Sequence, residues 1–163
     1  MVNTEHPAVD RVRAALAEHG LEPEITWFET ATPTAQAAAE AIGCDVGAIA
    51  NSLVFALDGE PVLVMTSGAH RVDTEFLGAR LGGRLTRASK DQVKDATGQT
   101  IGGVAPVGHP SPVPTFVDVA LSAYPRIWGA AGHAHTVFPL SYAELLRITD
   151  GTEVEVAPPQ SEA

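Results

Sequence analysis

The chain has 163 residues, one cysteine (Cys44) and a net charge of −10. That length suits one domain with a sizeable core, and a lone cysteine excludes an internal disulfide. The acidic balance argues against a general nucleic-acid coat protein, no apolar run approaches the roughly 20 residues that span a bilayer, and the polar start from Met1 to Pro7 lacks a secretory layout, so a cytoplasmic protein is expected.

Val9, Val12 and Leu16 recur at helical spacing between Pro7 and Gly20, which predicts a helix from Pro7 to His19. Ile25 to Phe28 reads as a short strand. Thr32-Pro33 opens a second helix with Ala35, Ala38, Ala39 and Ile42 on one face and Gly43 as its stop. Two β-prone runs, Ser52 to Leu57 and Pro61 to Met65, flank Asp58-Gly59, a dipeptide that favours a type I′ turn and so a hairpin. Asp73 to Leu81 reads as a helix and Arg84 to Arg87 as a short strand. Ser89-Lys90-Asp91-Gln92 has the form of a capping box and starts a helix ending near Gly98. Three prolines between His109 and Pro114 predict a stiff loop. Phe116 to Ala120, Arg126 to Ala130 and Thr136 to Leu140 read as strands. Ser141 and Glu144 form a second capping box, with Leu140 and Leu145 as its hydrophobic staple, on a helix reaching about Thr149. No repeat or linker interrupts the pattern, so one α+β or α/β domain with a mixed sheet is expected, ending in a disordered tail over 157–163.

The most distinctive stretch runs from Thr97 to His109, with four glycines and Pro106 in thirteen residues. The Gly102-Gly103 pair removes two Cβ atoms, so a ligand can come close to main-chain N–H groups. A glycine-rich turn without a ligand fits the same residues. The histidines are His6, His19, His70, His109, His133 and His135. His133 and His135 would share a face if they lay on a strand, and with His109 they suggest a metal-assisted hydrolase. No carboxylate or cysteine stands at ligand spacing beside them, so no metal site is assigned. No G-x-S-x-G, Walker loop or dinucleotide fingerprint occurs, and no cofactor is called for. Cys44 reads as a small core thiol. Arg80, Arg84, Arg87, Lys90 and Lys94 fall within fifteen residues that hold one acid, Asp91. Such a cluster on an acidic body suits a solvated helix face or one segment of phosphate backbone.

The order of these motifs resembles the YbaK/EbsC family, the prolyl-tRNA-synthetase-associated editing domain, over about residues 28 to 150. Thr34 to Gly43 resembles its alanine-rich helix, and Arg71-Val72-Asp73 its G-x-x-R-V-D loop. Ala88 to Gly98 resembles its helix ending in Thr-Gly, and Gly102-Gly103-Val104-Ala105-Pro106 its G-x-x-x-P motif. Phe116 to Leu121, with Asp118, and Gly129 to Gly132 resemble later strands. Ile49 to Phe55 resembles the strand written K-[ST]-L, with Asn51 where the family has lysine. Asn brings a neutral amide in place of a cation.

The resemblance implies a mixed, mostly antiparallel sheet surrounded by helices. Residues 1–27 would form a helix and strand packed on an editing domain at 28–156. It implies a deacylase acting in trans on mischarged aminoacyl-tRNA, of a misacylated tRNA-Pro type. Gly102, Gly103 and Asn51 would be catalytic. Ser52, His70, Pro106, His109, Gly132 and His133 would hold the substrate. Arg80, Arg84, Arg87, Lys90 and Lys94 would meet the tRNA. Implied partners are the aminoacyl-tRNA acceptor end and a synthetase, with no membrane or DNA. Because Asn51 replaces the family lysine, a module that binds aminoacyl-tRNA or a synthetase without hydrolysis is the alternative.

Overall fold

The computed structural model describes residues 6–30, 34–99 and 103–158. Helix α1 (Pro7–Glu18) begins where His6 Nδ1 accepts the Ala8 N–H, and it buries Ala8, Val9, Val12 and Leu16. Strand β1 (Thr26–Trp27) follows, then α2 (Ala35–Ile42), capped by Thr34 and stopped by Gly43 at φ +85°. A short 3₁₀ turn (Val46–Ala48) leads into β2 (Ala50–Leu57). Asp58 (φ +51°) and Gly59 (φ +87°) turn the chain into β3 (Glu60–Ser67). Both left-handed positions identify the type I′ turn that Asp-Gly predicts.

Asp73 caps α3 (Thr74–Leu81), β4 (Leu85–Arg87) follows, and Ser89 caps α4 (Lys90–Thr97). Strand β5 (Thr115–Asp118) is shorter than the sequence suggests. The Asp118 carboxylate accepts the Ala120 N–H and diverts Val119–Ala123 into a 3₁₀ turn. Strands β6 (Ile127–Gly129) and β7 (Thr136–Leu140) lead to α5 (Tyr142–Thr149), whose Ser141–Glu144 capping box is present in both directions. A final strand, β8 (Thr152–Val154), has no counterpart in the sequence reading.

The strands form two sheets, in orders β1-β7-β6 and β4-β2-β3-β5-β8. Pairings are antiparallel except β3 with β5 and β5 with β8. The fold is mixed and mostly antiparallel, as the resemblance implies. Alternation along the hairpin sorts its side chains: Val54, Leu63 and Met65 enter the main core with α1 and α5, while Phe55, Val62 and Val64 meet Leu77 and Val156 on the other face. Both faces are covered, which explains why β2 and β3 read as continuous apolar runs.

Candidate functional site

A cleft opens where β2 starts. It is lined by Thr34, Ala35 and Ala38 from α2, Ile49 to Ser52, Val104, Trp128 to Ala130, and Thr136-Val137. Its cavity volume is about 40 Å³. None of the lining side chains is charged. Opposed residues of a hairpin share a face, so Asn51 leaves the sheet beside Thr66 and Ser52 beside Met65. The Ser52 hydroxyl points at Met65 Sδ, 3.1 Å away, a weak acceptor. Among the described residues the Asn51 amide makes no hydrogen bond. Thr136 is committed: its hydroxyl accepts the Ala131 N–H at 3.0 Å and donates to the His133 carbonyl at 2.7 Å.

The glycine segment forms one wall through Val104. Gly102 lies outside the described residues. A Cβ on Gly103 would stand 2.6–2.7 Å from the main chain of His133 and Ala134, so only glycine fits there. Pro106 is buried, and its Cδ is 3.9 Å from where a Gly129 Cβ would lie. Gly132 (φ +101°) lets its loop pass over the main chain of Ala8. Gln99, which the sequence reading left without a role, is 1% exposed and is tied to the segment on both sides. Its Oε1 accepts the Ala105 N–H at 2.7 Å, and its amide donates to the Val107 carbonyl at 3.2 Å. A glutamine inside so apolar a stretch was the available signal.

The histidines separate into three places. His109 donates through Nε2 to the Ala105 carbonyl at 2.9 Å, and burial pushes its imidazole below the usual range. His133 sits between His6, Trp27 and His135, with ring centroids about 5 Å apart. Burial, then the neighbouring His6 and His135, lower its pKa. His133 and His135 lie in a turn ahead of β7 rather than on a strand, and His133 Nδ1 accepts the His135 N–H. Among the described residues no group of side chains could hold a metal ion. His70 lines a different cleft, with Val119, Ala120 and Glu155. There its Nδ1 is 2.9 Å from Asp118, a carboxylate 1% exposed that also accepts from the Thr66 hydroxyl and the Ser67 N–H.

Arg80, Arg84, Arg87, Lys90 and Lys94 are all exposed on α3, β4, α4 and the loop before β4. Arg80 lies over the Phe76 ring and 3.8 Å from Glu155. Among the described residues the side chains of the other four pair with no carboxylate, and Arg84 meets Asp58 only through its main-chain N–H. Arg87 is opposite Phe55, so this surface begins about 13 Å along β2 from Asn51 at ~3.3 Å per residue.

A model of the aminoacyl-tRNA editing domain matches residues 29–148. The chain is 31% identical over 135 residues to the uncharacterized protein YwhH of Bacillus subtilis (strain 168), covering 82% of this chain and 86% of that one. It is 31% identical over 109 residues to a proline–tRNA ligase of Maridesulfovibrio salexigens, covering 66% of this chain and 16% of the ligase. A crystal structure of a protein described as a candidate trans-editing enzyme for prolyl tRNA synthetase superposes with a TM-score of 0.89 at 35% identity, covering 95% of this chain and 99% of that one. No helix among the described residues is long and apolar enough to cross a membrane.

Proposed function

Because the chain belongs to the aminoacyl-tRNA editing domain family, we propose that it deacylates mischarged aminoacyl-tRNA in trans, by water attack on the ester. The uncharged cleft carries this reading, with the free Asn51 amide at its edge and the glycine segment as a wall. Water oxygen bonds to the ester carbonyl carbon, the bond to the ribose oxygen breaks, and that oxygen leaves with a proton. The main-chain N–H groups of Gly102 and Gly103 are assigned the developing oxyanion, a task worth about 2.7–4 kcal/mol per donor in other enzymes. Asn51 orients the carbonyl or the water. Ser52 and the alanines of the wall hold a small, neutral acyl side chain. Pro106, Gly132 and His133 back the glycine segment, and His109 supports it from beneath. His70 acts at one remove, through Asp118 and Thr66, on the strand opposite Asn51.

The basic surface takes phosphates of the acceptor stem, while the single-stranded 3′ end reaches the cleft. Removing a wrong ester makes physical sense, because a binding pocket gains only about 1–3 kcal/mol from one methylene and rejects near-matches poorly. The test is turnover of Ala-, Cys-, Ser- and Thr-tRNA by the purified protein without added metal. Turnover above spontaneous loss supports the deacylase. The absence of a cation from the cleft wall favours one second reading, a module that binds without hydrolysis. Tight binding of every ester with no turnover would support that module instead.

A further inference from the structure

We propose that Gln99 is the positioning residue of the glycine segment, holding Ala105 in a two-sided clamp that it shares with His109. The clamp is a matter of geometry, while its effect on turnover rests on the deacylase reading. Ala105 is fully buried, yet among the described residues neither of its main-chain polar groups finds a main-chain partner. Its N–H goes to Gln99 Oε1 and its carbonyl to His109 Nε2. The other end of the Gln99 amide holds the Val107 carbonyl, so one side chain bridges Ala105 and Val107. Gln99 is itself anchored, because its N–H donates to the Thr97 hydroxyl at 3.1 Å.

Paired glycines are permissive, so the segment cannot set its own course and must be fixed from outside. The His133–Ala134 main chain limits Gly103 on one side, and the clamp fixes Ala105 on the other. Val104, the wall of the cleft, lies between them. A hydrocarbon at position 99 would fill the same space and leave the buried Ala105 N–H without an acceptor. The amide is therefore there for the backbone it holds.

The test compares Gln99→Met and Gln99→Glu with wild type, and uses Leu77→Ala, in the separate cluster on the other face of the hairpin, as a control that loosens the core elsewhere. Gln99→Met should speed hydrogen exchange of the Gly103, Val104 and Ala105 amides about tenfold or more, with Leu63 unchanged. It should lower kcat about tenfold while KM stays within about threefold, since misplacement of reacting groups falls on the chemical step. Leu77→Ala should lower Tm and leave loop exchange and kcat alone. In Gln99→Glu, the new carboxyl can both accept from Ala105 and donate to Val107 once it is protonated. The ratio of Gln99→Glu to wild-type kcat should therefore rise as pH falls, and this series decides the matter if Gln99→Met does not fold. Unchanged loop exchange, or faster exchange with unchanged kcat, overturns the assignment, as does a flat pH ratio. If wild type hydrolyses none of the esters, the deacylase reading falls separately. Exchange then decides alone, faster exchange upholding the clamp and unchanged exchange overturning it.

Discussion

Gly103 and Asp118 show what single residues must do here. A Cβ at 103 would press into main chain that cannot swing aside. Gly103→Val should cost about 1–3 kcal/mol, the usual range for overpacking, and abolish turnover at temperatures where the variant is folded. Denaturant titration and a deacylation assay check the two halves. Asp118 gathers donors from Thr66, Ser67, His70 and Ala120 around a carboxylate that is 1% exposed. Asn keeps the shape but turns one oxygen into a donor facing another donor. Asp118→Asn should therefore lose about 1.5–3 kcal/mol of stability, measured by urea unfolding, because hydrogen bonds to a charged acceptor are the strong ones.

The elements whose signals are local are legible in the sequence alone. Asp58-Gly59 announces the hairpin, and Ser141 with Glu144 announces α5. Those signals lie within a few residues of the structure they specify. The parallel pairings of β3 with β5 and β5 with β8 join segments far apart in sequence, and no local pattern marks them. The three residues of β8 carry too little alternation to be seen. The family resemblance points to the glycine segment and Asn51, yet it cannot place His109 beneath Ala105 or His70 against Asp118, because such hydrogen bonds depend on how distant elements pack. The basic cluster is visible as composition, and its position beside the far end of β2 emerges only from the register with β4. If that surface meets RNA phosphates, log K should fall with log salt by about 0.7 to 0.9 per contact. Arg84→Ala and Arg87→Ala should each reduce the slope by about one contact, and an unchanged slope would remove them from the interface.

For the whole molecule, the two imidazoles with lowered pKa set a direction for acid stability. Burial holds His109 and His133 below the ordinary value of 6.5, so the unfolded chain takes up protons first as pH falls. Their contribution is complete above 6.5 and is lost as pH drops through and below it. Unfolding free energy should be lower at about pH 5.5 than at about pH 7.5, and His109→Gln should flatten part of that slope. A wild-type curve that rises on acidification would contradict this.

The central expectation is that an uncharged cleft, with Asn51 where the resemblance implies a lysine, still hydrolyses an aminoacyl ester. The most direct measurement is the rate of loss of Ala-, Cys-, Ser- and Thr-tRNA with wild-type protein in the absence of added metal, alongside Asn51→Ala. At least one ester should be cleared well above its spontaneous rate, and Asn51→Ala should clear it more slowly. Spontaneous rates for all four esters, with the tRNAs demonstrably bound, would contradict it and leave a protein that holds the acceptor end without cutting the ester.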